Sequence, residues 1–316
     1  RPALVKPRRL QKGDTVGLIT PGSYIEDEDL QKAVTNLESL GLRIKMGRHI
    51  RAQRGFTAGT DAQRLEDLHA MFADEQVAGV WCARGGYGCS RLLPLIDYGL
   101  IARHPKVFIG YSDITALLQA FFLKTGLVGF HGPVGASDFT DYTREQVAAV
   151  LMDPAPRHAI ALAAANQEVE DDAYQLRVLR PGVARGPLAG GNLSLLAALA
   201  GTGYALQGAG RLLFIEDVGE KPYRIDRMLT QLRQAAGIGA AAGIALGIFA
   251  GCEAGPDDRS LTLLETLQDR LGDLGIPVVY GLSFGHIEHM CTLPVGLPAE
   301  LDTGTLTLTL EEAGVV

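Results

Sequence analysis

Lys106-Val107-Phe108-Ile109-Gly110-Tyr111-Ser112-Asp113-Ile114-Thr115-Ala116-Leu117-Leu118 is the stretch around which the rest of the chain is read. An apolar run of strand type, Val107 to Ile109, stops at a glycine. A serine follows two residues later, and helical patterning over 114–123 begins at once. A strand turning sharply into a helix lifts the serine Oγ to the apex of the turn. The helix start beneath it offers backbone N–H groups to a developing negative charge. That is the geometry of a nucleophile elbow. The match to G-x-S-x-G is incomplete, because Ile114 stands where the second glycine would be. Two readings stay open here: a nucleophile, or a serine that caps the helix.

Working outward, 14–20 reads as a buried strand ending at Pro21-Gly22-Ser23, and 30–40 as a helix stopped by Gly41. A short strand over 43–46 follows, then a helix carrying Leu65, Leu68 and Phe72. The strand Gly79-Val80-Trp81-Cys82 runs into the glycine turn Gly85-Gly86-Tyr87-Gly88, and a helical segment over 90–96 leads to Phe108 and Ile109. Strands alternating with helices predict an α/β fold with a mostly parallel sheet, and sites in such sheets lie at the carboxyl ends of the strands. The loops after Ile19, Cys82, Ile109 and Phe130 therefore share one edge. Over 154–186 the pattern weakens, prolines and an acidic cluster appear, and the stretch reads as the linker between domains 1–153 and 187–316. Beyond it come Gly190-Gly191-Asn192-Leu193, a strand over 211–216, a helix bearing Ile225, Met228, Leu229 and Leu232, and strands over 245–249, 277–280 and 305–310.

With 316 residues, 47% of them hydrophobic and 21% charged, the chain is long enough for two cores and has an ordinary globular composition. A net charge of −7 argues against a nucleic-acid partner, and no apolar run is long enough to cross a bilayer. Four cysteines do not make a disulfide framework and fit a reducing compartment. A cytoplasmic location is expected, with export left open because the chain begins at Arg1.

A nucleophilic serine needs a base in reach and an acid to orient that base. Of seven histidines, His286 stands out, following an apolar strand and the small run Gly281-Leu282-Ser283-Phe284-Gly285; His131, after Val128-Gly129-Phe130, is its rival. Glu216 ends an apolar strand and is either the acid or the first exposed residue, with Asp217 and Glu220 competing. The Arg84-Gly85-Gly86-Tyr87-Gly88 turn reads as a phosphate cradle, an oxyanion hole or a plain tight turn. His286-Ile287-Glu288-His289 lacks the spacing of a zinc site, so neither a metal nor a cofactor is expected.

Taken together, these stretches resemble the LD-carboxypeptidase family of serine peptidases, the muramoyltetrapeptide carboxypeptidases. The resemblance runs over nearly the whole chain. Its sharpest pieces are Trp81 to Gly88, Ile109-Gly110-Tyr111-Ser112-Asp113-Ile114 and His131-Gly132-Pro133, followed by Gly190-Gly191-Asn192-Leu193, Ile215 to Glu220 and Gly285-His286. It implies a Rossmann-like N-terminal domain and a smaller, β-rich, swivelling-barrel-like C-terminal domain. It further implies a triad of Ser112, Glu216 and His286, with Asp113 and Gly86 N–H groups holding the oxyanion. The implied activity is removal of the terminal D-alanine from cell-wall muropeptide tetrapeptides during peptidoglycan recycling, by a homodimer without cofactor. Arg84, Tyr87, Asn192, Tyr223 and Arg224 are the candidates for binding the peptide substrate.

One branch of the family, the microcin C immunity type, hydrolyses acyl-adenylate analogues and stacks the base on an aromatic-rich insertion between the domains. Here 154–186 holds Tyr174 as its single aromatic, which favours the cell-wall branch. A reading from another class is a non-catalytic ligand-binding module, which needs neither the serine at the elbow nor the histidine at a strand end.

Overall fold

Central strands buried on both faces set up the first sheet. In the computed structural model, which describes residues 2–316, two groups of segments pack separately. The first comprises residues up to 155 together with 292–296 and 313–316, and the second comprises 156–291 and 297–312.

The first unit opens with β1 (Thr15–Ile19), α1 (Asp27–Ser39), β2 (Arg43–Met46), α2 (Asp61–Ala73), β3 (Gly79–Cys82), α3 (Tyr98–Arg103), β4 (Val107–Gly110), α4 (Thr115–Thr125), β5 (Phe130–His131) and α5 (Asp141–Leu151). Strands β5-β4-β3-β1-β2 pair side by side and all parallel. Every residue of β3 and β4 is buried, which is why these strands read as continuous apolar runs rather than alternating ones. Phe72, Phe108 and Phe121 meet in the core with ring centroids 5.0–5.9 Å apart. The α2 start is fixed by a capping box in which Thr60 and Gln63 satisfy each other's backbone N–H groups. Because the strands are parallel, the loops after β1, β3, β4 and β5 leave from one edge, as the alternation predicts.

The second unit contains β6 (His158–Ile160), α6 (Ala164–Gln167), β7 (Arg177–Arg180), β8 (Val183–Asn192), α7 (Leu193–Leu199), β9 (Leu212–Glu216), α8 (Pro222–Ala235), β10 (Gly243–Ile248), α9 (Leu263–Leu271) and β11 (Val278–Gly285). The chain then supplies β12 (Leu293–Pro294), antiparallel to β5 in the first unit, and returns for β13 (Pro298–Asp302) and β14 (Thr307–Leu310). The second sheet has the order β6-β14-β13-β8-β9-β10-β11-β7. Its centre, β8 to β11, is parallel, and its ends are antiparallel. Leu193, Leu196, Leu213, Ile215, Ile225, Leu229, Leu232, Ile244, Leu267 and Leu271 build one buried cluster from strands and helices together. The parallel centre with α7, α8 and α9 makes this unit α/β in its own right.

Residues 156–186 are not a connector. They supply β6, β7 and the start of β8, and belong to the second unit. Most of β7 is exposed at the sheet edge, so its sequence carries no apolar run to announce it.

Candidate active site

The candidate nucleophile Ser112 lies in the first unit. β4 ends at Gly110, Tyr111 is extended (φ −148°), and Ser112 takes φ +64°. Left-handed backbone at a residue with a Cβ costs on the order of 1–2 kcal/mol. Among the described residues only Ser112 and Leu306 adopt it without being glycine. A 3-10 turn over Ser112–Ile114 then leads directly into α4. The cap position of α4 falls on Ile114, which makes no side-chain capping bond. The departure from G-x-S-x-G has a steric reason. A Cβ added to Gly110 would fall 2.8 Å from both Ile114 Cγ atoms, so the buried isoleucine fills the space that a bare Gly110 leaves.

The glycine turn packs against this elbow. A Cβ on Gly85 would sit 3.3 Å from Ser112 Cβ, and Gly86 has φ +88° with Ser23 filling the space beside it. Ser23 N–H donates to Gly85 C=O (3.0 Å), and Ser23 Oγ accepts from Tyr87 N–H (2.9 Å). Asp113, beside the serine and 2% exposed, accepts Cys89 N–H at 2.9 Å, which ties the far end of the glycine turn to the elbow. Burial raises the Asp113 pKa against the opposing bonds from Cys89 and the charge of Arg64. Buried Arg64 donates to Pro21 C=O (2.7 Å), Gly88 C=O (2.9 Å) and Asp61 (2.6 Å). Three loops from one sheet edge are thus cross-linked around Ser112. Sequence reading passed over Ser23 and Arg64; their signal is that each neighbours or faces a glycine turn whose backbone needs partners.

The candidate acid and base lie in the second unit. Glu216 ends β9 and is fully buried, and His286 follows β11 with its side chain 22% exposed. His286 Nδ1 is 2.8 Å from Glu216 Oε2. With Nδ1–H donating to the carboxylate, Nε2 is the basic nitrogen of the neutral ring. Burial works against protonation of His286, but the bond and charge of Glu216, helped by Asp217, outweigh it and raise the pKa above the ordinary value. Asn192, the register partner of Glu216 across β8 and β9, donates Nδ2 to Glu216 Oε1 at 3.2 Å. Glu216 is therefore a buried carboxylate held on both oxygens, and not the first exposed residue of its strand.

The remaining candidates are distributed as follows. Arg84 donates to Tyr24 C=O (2.6 Å) and lies over the Tyr24 ring, while Tyr87 is 48% exposed and packs edge-to-face on Phe56. Asn192 is buried, its Oδ1 accepting Leu195 N–H at the start of α7. Tyr223 and Arg224 are exposed near the start of α8, with Arg224 Nε on Tyr223 Oη at 3.1 Å and its Nη1 3.9 Å from Glu220. His131 is fully buried at the end of β5, against the Tyr111 ring. Among the described residues no helix is long and apolar enough to cross a membrane, and no group of three His, Cys, Asp or Glu is arranged to hold a metal ion.

Comparison with known proteins adds the following. Residues 16–132 match the LD-carboxypeptidase N-terminal domain and residues 185–301 the LD-carboxypeptidase C-terminal domain. A probable murein peptide carboxypeptidase of Bacillus subtilis is 42% identical over 98% of this chain and 95% of its own length. The crystal structure of muramoyltetrapeptide carboxypeptidase from Oxalobacter formigenes is similar with a TM-score of 0.79 and 32% identity, covering 94% of this chain and 97% of that one. The microcin C7 self immunity protein MccF is similar in fold, with a TM-score of 0.87 at 24% identity over 99% of this chain and 100% of that one.

Proposed function

This chain belongs to the LD-carboxypeptidase family, and from that premise we propose that it is a serine carboxypeptidase that removes the terminal D-alanine from muropeptide tetrapeptides. The observation that carries the reading is the 2.8 Å pairing of His286 Nδ1 with a fully buried Glu216, in a chain whose Ser112 is held at a left-handed elbow. A binding module has no use for either arrangement.

In this reading Ser112 Oγ attacks the carbonyl carbon of the scissile bond while His286 Nε2 takes the hydroxyl proton. Glu216 holds the ring in the tautomer that makes Nε2 basic and stabilises the imidazolium. The N–H groups of Asp113 and Gly86 receive the oxyanion, on a turn that Ser23, Arg64 and the Asp113 carboxylate keep rigid. The C–N bond then breaks, His286 returns the proton to the departing amine, and D-alanine leaves. Water, activated by the same imidazole, attacks the acyl group on Ser112 and releases the tripeptide. An exopeptidase must recognise a free carboxylate, and Arg84, Tyr87, Tyr223 and Arg224 are its proposed binders, the guanidinium groups being suited to bidentate contact. A cytoplasmic site of action and a homodimeric state are proposed on the family resemblance, and are checked by cell fractionation and by light scattering.

The reading is tested by incubating the protein with L-Ala-D-Glu-diaminopimelate-D-Ala and, separately, with an aminoacyl sulfamoyl adenosine, and following both by mass spectrometry. Loss of one D-alanine from the tetrapeptide is expected. Hydrolysis of the nucleotide analogue alone would transfer the protein to the immunity branch, and binding without turnover would leave a ligand-binding role.

A further inference from the structure

A second carboxylate sits beside Glu216, and the reaction described above makes no use of it. Asp217 is 3% exposed at the end of β9, and its two oxygens take four hydrogen bonds. Oδ1 accepts from Val218 N–H (2.8 Å) and Asn192 Nδ2 (3.3 Å), and Oδ2 from Ser194 N–H (3.0 Å) and Ser194 Oγ (2.6 Å). The same Asn192 Nδ2 donates to Glu216 Oε1 at 3.2 Å. One carboxamide thus spans two adjacent buried carboxylates with its two N–H bonds, while its oxygen is anchored on Leu195 N–H. Glu216 is gripped at Oε1 from the Asp217 side, and its Oε2 meets His286. Burying two neighbouring like charges is costly, and a chain that needed only to fill space would put an apolar residue at 217.

We propose that Asp217 is a positioning residue for the Glu216–His286 pair. Through the shared Asn192 amide it fixes Glu216 Oε2 on His286 Nδ1, and its negative charge stabilises the imidazolium formed when His286 takes a proton. This rests on the reading of His286 as the base. Burial pushes the Asp217 carboxyl up to about 6, against the bonds from Ser194, Val218 and Asn192, and the neighbouring charge of Glu216 adds to the rise. The charge of Asp217 in turn helps raise the pKa of His286. The other titratable groups around it are Cys252, whose pKa burial pushes up to about 12, and Glu220, 3.5 Å from the Ser194 hydroxyl that also holds Asp217. As pH falls through about 6, Asp217 gains a proton and its support for the imidazolium fades.

The test is steady-state kinetics on the tetrapeptide across pH for Asp217→Asn and Asn192→Ser, with the His286 ring titrated by NMR in the full-length protein. Serine at 192 retains a capping oxygen for α7 and keeps both carboxylates, but removes the bridge. For Asp217→Asn, kcat is expected to fall on the order of tenfold to a hundredfold with KM held within about twofold. The acid limb of kcat/KM and the NMR midpoint of His286 should both move to lower pH. Asn192→Ser should lower kcat without raising KM. Unchanged kcat and superimposed titrations in Asp217→Asn would overturn the proposal. So would a raised KM with intact kcat in Asn192→Ser, which would assign Asn192 to substrate. If Asp217→Asn fails to fold, as judged by circular dichroism, Asn192→Ser decides alone. If the wild type does not cleave the tetrapeptide, the proposed function fails, and the NMR comparison still decides the role of Asp217.

Discussion

Replacing Glu216 by Gln changes one atom and leaves no good arrangement for it. In the wild type both carboxylate oxygens accept: Oε2 from His286 Nδ1 at 2.8 Å and Oε1 from Asn192 Nδ2 at 3.2 Å, in a position with no solvent exposure. An amide has one acceptor and one donor end. If its oxygen faces His286, its NH2 meets the NH2 of Asn192, and a buried donor is left without a partner at about 1–3 kcal/mol. If it turns the other way, it donates to His286 Nδ1 and drives the ring proton onto Nε2, the tautomer that cannot accept a proton from serine. A negative charge that raises the His286 pKa is also gone in either case. The wrong tautomer alone lowers kcat about 10⁴-fold in the corresponding chymotrypsin-type substitution, so a loss on the order of 10²–10⁴ is expected here. The assay is D-alanine release under saturating tetrapeptide, with thermal unfolding as the control for folding. A folded Glu216→Gln variant retaining kcat within about threefold would refute the reasoning and remove Glu216 from the triad.

Other perturbations probe the same account. Gly110→Ala places a methyl group 2.8 Å from Ile114 in a packed core, so it should destabilise by about 1–3 kcal/mol and be seen as a lower Tm; an unchanged Tm would contradict the steric reason for that glycine. Ser23→Ala removes the acceptor for Tyr87 N–H and should lower kcat with little change in KM, measured by the same D-alanine assay. Activity should rise as pH climbs through the His286 pKa, with the limb above that of an ordinary imidazole, because Glu216 and Asp217 outweigh burial. The stability contribution of that raised pKa has the opposite sense. It is fully present below the unfolded-state value and is lost as pH rises through the folded one. In chemical denaturation the gap between wild type and Glu216→Gln should therefore narrow on the alkaline side of that window, down to the pH-independent cost of the unpaired amide.

The first sheet is legible because its central strands β1, β3 and β4 are buried apolar runs, each bounded by turn residues, with β2 as an exposed edge. β2 and β3 fall on the residues that their sequences mark, and β4 stops at the glycine that Ile114 requires. The alternation over 305–310 marks the short antiparallel strand β14, but the pairings of such strands are not legible. Thr309 pairs with Ala159, and Asp302 with Val183, across more than a hundred residues, and no local pattern encodes such pairings. The same limit applies to the candidate site. Ser112, Glu216 and His286 stand at or just after strand ends, which makes each a candidate, but His131, Asp217 and Glu220 stay open beside them until the family resemblance selects among them. The Asn192 amide spanning Glu216 and Asp217 depends on register across β8 and β9, which no reading of one strand at a time can supply. Glu216 illustrates the point from the other side, since the end of an apolar strand reads equally well as exposed until its neighbours are known.

The most direct test of the central claim is D-alanine release from L-Ala-D-Glu-diaminopimelate-D-Ala by the wild type and by Ser112→Ala, quantified by mass spectrometry. Alanine keeps the backbone at 112 occupied by a residue with a Cβ and removes only the attacking oxygen. The account predicts one D-alanine per tetrapeptide from the wild type and none above background from a folded Ser112→Ala. Release by both proteins at similar rates would contradict it, because the hydrolysis would then proceed without Ser112 as nucleophile.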